Sequence, residues 1–200
     1  MAADGDVDQR SETQRAIVEA TYAALQTHGY ADLTIQAIAD EFEKSKSLLY
    51  YHYDTKDGLL IDVLKDGLDR FATRNAVDPD ATPREQLETF LDRSLPARLD
   101  DETRAFRLTI FELRSQAPMN EAYREQFARA DRLLHETLVE ILERGIETGD
   151  FRDVDPAYTT DLLLSLTEGG MTRHLVTSDD ARVATRDTLD TYVESTLLAD

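Results

Sequence analysis

Apolar residues recur along this chain at helical spacing, and no segment alternates in the manner of a strand. Ile17, Ala20, Ala24 and Leu25 form the first stripe, opened by the capping-box pattern Ser11-Glu12-Thr13-Gln14 and closed by Gly29. Thr34 can cap a short helix from Ile35 to about Glu41, with Ile38 and Ala39 turned inward. A break at Phe42-Glu43-Lys44 precedes a second short helix, Ser45 to about Tyr51. Thr55 then caps a longer helix striped by Leu59, Leu60, Val63, Leu64, Leu68 and Phe71.

The segment 76–82, with two aspartates and a proline, reads as a linker. Thr82-Pro83-Arg84-Glu85 is again a capping box with proline in the tolerated first turn, and that helix is expected to reach about Arg98. Asp100 or Asp101 opens the next, which Ala117-Pro118 ends. A long helix starts near Asn120, carries Phe127, Leu134, Leu138, Ile141 and Leu142, and stops around Gly145 and Gly149. Asp155-Pro156 starts another to about Val176, and Ser178-Asp179 caps a last one to Leu198. The pattern predicts an all-α protein of about nine helices: a flexible acidic start (1–10), a small N-terminal helical domain (11–56) and a larger helical domain (57–200) entered by a connecting helix over 55–75.

Composition narrows the chemistry. Without cysteine, the 200 residues can hold no disulfide, no thiolate zinc site and no cysteine nucleophile. No apolar run approaches the ~18 residues of a membrane span, and the acidic opening is the opposite of a signal peptide, so a soluble cytoplasmic protein is expected. Net charge is −19, and the acids are spread through every segment, with only four lysines against 18 arginines. Such a distributed acidic surface resembles proteins of salt-loving organisms, where molar salt screens self-repulsion; an ordinary acidic cytoplasmic protein is the plainer alternative.

Enzyme chemistry finds no foothold in the pattern. There is no G-x-S-x-G, Walker, dinucleotide or H-E-x-x-H motif, and the four histidines are scattered. Asp131 and His135 share a helix face at i, i+4, which a surface pair explains without a metal. No catalytic residue, metal ligand or cofactor is expected. Glu168-Gly169-Gly170 inside a helix suggests close packing or a ligand-adjacent bend, since two glycines cost about 2 kcal/mol there.

One stretch runs against the acidic background. Lys44, Lys46 and Lys56 fall within thirteen residues, so that 44–56 carries +2, with Asp54 counted, while residues 1–60 carry 5 basic and 11 acidic groups. Two short helices across a tight break, behind a longer helix, follow the grammar of a helix-turn-helix. The second presents Lys46, Ser47 and Leu48 at its start, where side chains meet base edges in a major groove. Tyr50, Tyr51 and His52 lie a turn later, within reach of phosphates or thymine methyls. Lys44 belongs to the same basic stretch, Lys56 supplies a cation to phosphate, and Thr34 and Gln36 open the preceding helix toward the backbone. Leu49 and Tyr53 are expected in the core; for the polar residues the bland alternative is a solvated face.

The residues Gly29-Tyr30, Leu33-Thr34, Ile38-Ala39, Ser45-Lys46, Leu49-Tyr50-Tyr51-His52-Tyr53 and Lys56 with Leu59-Leu60 resemble the DNA-binding domain of the TetR family of transcriptional regulators. Glu43 departs from the family's turn glycine and Lys44 from an apolar residue, while Ser47 and Leu48 stand where many members have Gly and Thr, so no operator sequence carries over. The resemblance implies a homodimeric, ligand-responsive repressor of operator DNA. It implies a dimer interface on the last two helices, here Leu163, Leu166, Met171, Leu189, Val193 and Leu197, with Leu162 and Val183 on the same apolar faces. It also implies an inducer pocket among the middle helices. Candidate walls are Phe90, Phe106, Ile110, Phe111, Tyr123, Phe127 and Tyr158, with Arg107, Arg114 and Arg173 as anchors for an amphipathic or anionic small molecule; plain core is the alternative for most of the aromatics. Two rival readings stay open: a helical small-molecule sensor with little or no DNA affinity, and an all-α enzyme.

Overall fold

Thr34 Oγ1 accepts the Ala37 amide at 3.1 Å, and Thr82 makes a complete capping box with Glu85, so local polar chemistry starts the helices where the pattern expected. The computed structural model describes residues 3–42, 44–75, 78–177 and 180–199, with side chains described for these except 3–11 and 72–75. Among them are nine α-helices: α1 (Ala3–Asp32), α2 (Ile35–Glu41), α3 (Lys46–His52), α4 (Lys56–Asn75), α5 (Pro83–Ser94), α6 (Asp101–Gln116), α7 (Glu121–Thr148), α8 (Pro156–Val176) and α9 (Asp180–Tyr192). A π-helical turn, Val193–Leu197, continues α9.

Three boundaries depart from the sequence pattern. Helix α1 begins at Ala3, so the Ser11 box lies inside it and the stretch expected as a flexible tail is helical from Ala3. Helix α5 stops at Ser94 rather than near Arg98, because Pro96 bars helical backbone at Leu95, whose φ/ψ of −128/67° is non-helical. The C-terminal helix widens into the π turn at Val193 before reaching Leu198. The expected Ser178-Asp179 cap and the Glu43 turn lie outside the described residues.

Two compact units divide the chain: Met1–Asp69 with Ala105–Phe127, and Arg70–Arg104 with Ala128–Asp200. The first is built on Ile17, Leu25, Leu33, Ile38, Leu49, Leu60 and Leu64, all almost fully buried. Helix α6 joins this unit through ring packing of Phe106 near Tyr22 and through Gly67. A Cβ at Gly67 would sit 3.1 Å from Phe106 and 3.3 Å from Ile110. Compactness therefore does not follow a single cut at 56/57, because α6 and the start of α7 pack with the N-terminal helices.

The second unit centres on Leu87, Phe90, Leu91, Leu138, Ile141, Leu142, Phe151, Leu163, Met171, Leu189, Val193 and Leu197. Its chain end is tied to the α7–α8 loop: Arg152 N–H donates to Leu197 O at 2.8 Å, Ala199 N–H to Asp150 O at 3.0 Å, and Arg152 Nη1 to Ser195 O at 2.6 Å. Gly145 exists for Phe151, whose ring would lie 2.0 Å from a Cβ there.

Candidate nucleic-acid interface

Helices α2 and α3 meet around buried Ile38, Ala39, Phe42 and Leu49, leaving their polar faces outward. Gln36, Lys44, Lys46 and Ser47 are exposed, Leu48 and His52 half-buried, and Tyr50 and Tyr51 exposed at 45% and 81%. Two tyrosine rings displayed in water at the end of α3 are a costly apolar exposure that a partner surface would relieve. Tyr51 and His52 pack edge to face at 5.3 Å. Leu49 is core as expected. Tyr53 is half-buried with its hydroxyl donating to Asp62, and burial, then that hydrogen bond, raises its phenol well above the ordinary value.

The three lysines of the basic stretch are all engaged within the unit. Lys44 Nζ lies 3.5 Å from Glu12 Oε1. Lys46 Nζ pairs with Asp40 Oδ1, the oxygen that also accepts Gln36 Nε2 at 3.0 Å. Lys56 Nζ donates to Tyr30 O at 3.1 Å and stands 4.6 Å from the centre of the Tyr30 ring, a cation–π geometry. Ser45 and Ser47 share a 2.6 Å hydroxyl contact. Asp40 and Glu12 were not among the sequence candidates. The i, i+4 spacing of Gln36 and Asp40 was the available signal, and the Lys46 pairing required knowing how α3 returns toward α2.

Gly29 explains how helix α6 meets this region. Its φ of 68° breaks α1, which frees the Tyr30 amide from the helical ladder, and Glu112 Oε2 of α6 accepts it at 3.2 Å. Nearby, the Tyr123 hydroxyl of α7 lies 3.5 Å from Asp57 Oδ1 on α4.

The pocket and dimer candidates are placed less favourably. Phe90 and Tyr123 are fully buried core, whereas Tyr158 is 68% exposed and Arg114 and Arg173 face solvent. Arg114 lies 4.9 Å over the Phe127 ring. Phe106, Arg107, Ile110, Phe111 and Phe127 stay half-buried on α6 and α7. Of the interface candidates, Leu163, Met171, Leu189, Val193 and Leu197 are buried in the single chain, and Leu166 packs on the same core. An apolar stripe on two adjacent helices fills the protomer's own interior first; exposed apolar positions on the described parts of these helices include Tyr158, Val176 and Val183. His135 Nε2 lies 3.5 Å from Asp161 Oδ1 on α8, across from its helix.

A family model described as bacterial regulatory proteins, tetR family, matches residues 17–63, and one described as BetI-type transcriptional repressor, C-terminal, matches 83–198. Among solved structures, a TetR transcription regulator from Haloarcula marismortui is 37% identical, with a TM-score of 0.85 over 94% of this chain and 99% of that one. A protein from Saccharomonospora viridis solved in complex with choline is 23% identical (TM-score 0.83; 95% and 100% covered). A TetR transcriptional regulator from Chloroflexus aurantiacus is 19% identical (TM-score 0.75; 96% and 100% covered). The last two share the fold. A comparison with curated proteins found no match.

Proposed function

This chain belongs to the TetR family of transcriptional regulators, and from that premise we propose that α2, α3 and the start of α4 form its DNA-reading head, with Gln36, Lys46, Ser47, Leu48, Tyr50, Tyr51 and His52 facing operator DNA. As a member it is a DNA-binding, ligand-responsive repressor. The observation that carries the assignment of the head is the α2–α3 pair itself. A buried apolar seam holds the two short helices, and their outer face displays lysine, serine, glutamine and two exposed tyrosines. In an otherwise acidic protein this is where a polyanion is tolerated. Lys44, Thr34 and Lys56 flank it as backbone contacts. Titration of the pure protein with the duplex upstream of its own gene, at several KCl concentrations, tests the assignment; saturable binding to that duplex over a scrambled one is the expected result.

The engaged lysines favour a second reading, a helical sensor with little DNA affinity, and the same titration separates it by showing no preference at any salt.

Glu112 and Tyr123 support a route for the ligand response, because they tie α6 and α7 to Tyr30 and Asp57 beside the head. We place the inducer against the half-buried α6–α7 side chains Phe106, Arg107, Ile110, Phe111 and Phe127. The Saccharomonospora protein was crystallised with choline. Here Arg114 already covers the Phe127 face, which suits an anionic or amphipathic ligand better than a quaternary cation. A ligand that binds one spacing of two heads better than the other shifts the population between them. We place the homodimer contact on the exposed faces of α8 and α9, around Val176, Val183 and Gly169. The halophilic origin suggested by the acidic surface has the Haloarcula relative in its favour.

A further inference from the structure

In the free protein, one carboxylate oxygen holds two of the donors assigned to DNA. Asp40 Oδ1 accepts from Gln36 Nε2 at 3.0 Å and pairs with Lys46 Nζ, although Gln36 and Lys46 lie on different helices. The group is at the surface, with about half of each ionic side chain exposed (52% for Lys46, 59% for Asp40), so a DNA phosphate or base edge can reach the same donors. A similar acid lies behind the next lysine, Glu12 at 3.5 Å from Lys44.

We propose that Asp40 is a built-in competitor of DNA: it occupies Lys46 and Gln36 when no duplex is bound and must release them for binding to occur. This rests on the assignment of the α2–α3 face as the DNA-reading head. Its consequence follows from counting ion pairs. A free lysine that meets a phosphate forms a new pair and releases counterions, which makes affinity fall as salt rises. Lys46 exchanges one pair for another, Asp40 for phosphate, so the number of pairs is unchanged and added salt weakens both sides of the exchange alike. Asp40 therefore lowers affinity at low salt and flattens its salt dependence. An exposed aspartate is ionised at neutral pH in any case, and Lys46, then Gln36, hold the Asp40 carboxyl lower still.

The test uses the full chain and a duplex selected from a random-sequence pool, titrated from about 0.1 to about 1 M KCl. Asp40→Asn keeps the size and hydrogen-bonding capacity of an exposed side chain, and its thermal midpoint monitors the fold. Glu41→Gln removes the same charge one residue away. Lys46→Gln, alone and combined with Asp40→Asn, closes the cycle. Asp40→Asn is expected to tighten binding about two- to fivefold per head at the low-salt end. It should steepen the log-affinity slope by about 0.9 per head, a gain that disappears in the Lys46→Gln background. Glu41→Gln should keep the wild-type slope. The inference is overturned if Asp40→Asn leaves the slope unchanged or weakens binding, if Glu41→Gln steepens it equally, or if the effect persists without Lys46. In each of those cases wild-type binding still supports the DNA-reading head. If no variant binds any duplex at any salt, the head assignment falls and the competitor with it.

Discussion

Neighbouring glycines in α8 meet different surroundings. A Cβ at Gly170 would lie 2.6 Å from Thr185 Cγ2, whereas one at Gly169 meets nothing within 4 Å. Gly170→Ala must push α9 away and is expected to cost about 1–3 kcal/mol. Gly169→Ala gains helix propensity at no steric expense within the protomer, so the stability of the folded protomer should rise by up to about 1 kcal/mol. Chemical denaturation of the two variants checks this, and equal effects would contradict the packing described. The adjacent pair was legible as a sign of close packing, but which glycine makes the contact depends on the rotation of α8, which periodicity does not fix. A second residue-scale prediction concerns alkali. Burial and Asp62 raise the Tyr53 phenol, and burial and Asp57 raise that of Tyr123, above the ordinary value of about 10. The folded protein thus keeps protons that the unfolded chain loses, so this stabilisation is complete below that value and is lost as pH rises through the folded values. Tyr53→Phe should melt lower at neutral pH, having lost the Asp62 hydrogen bond, yet decline less steeply above pH about 10. A wild-type midpoint that stays level there would dismiss the argument.

At the scale of elements, caps were the most legible signals because they are local. Thr34, Thr82 and Asp155 each accept an amide of the first turn in the structure. The two short helices α2 and α3 were legible as helices too, since their residues combine cap, apolar seam and basic face within a short span. The faces of α8 and α9 were not. A buried stripe reads the same in sequence whether it is covered by the protomer or by a second copy, and Leu163, Leu189 and Leu197 turn out to be covered by the protomer itself. The dimer proposal therefore moves to Val176 and Val183, exposed at 55% and 46%. Val176→Glu with Val183→Glu should yield a folded monomer in sedimentation, because neither charge enters the protomer core. Leu163→Asp should instead unfold the chain, since a carboxylate placed in that core costs several kcal/mol. A double glutamate variant that remains dimeric would put the interface elsewhere.

The whole molecule carries −19, and two of its four lysines are answered by its own acids in the Lys44–Glu12 and Lys46–Asp40 pairs. Local pairing of this kind neutralises a few groups and leaves the general excess of 41 acidic over 22 basic side chains unrelieved. At about 0.01 M ionic strength the Debye length is about 30 Å, so carboxylates repel one another across tens of ångströms; at about 1 M it is about 3 Å and only near neighbours interact. Folding concentrates this charge, so the folded state gains more from screening than the expanded chain does. The thermal midpoint should therefore climb as KCl rises from low to molar concentration. Exposed ion pairs weaken over the same range, but each is worth at most about 1 kcal/mol, and 22 basic side chains can answer only part of 41 acids. Sulfate would also raise the midpoint by strengthening apolar burial, so KCl should be compared with sucrose, which strengthens burial without screening. Melting curves that rise with KCl well beyond any rise with sucrose identify the charge term. Equal rises, or a midpoint level in KCl, would show that this acidic surface does not oppose folding.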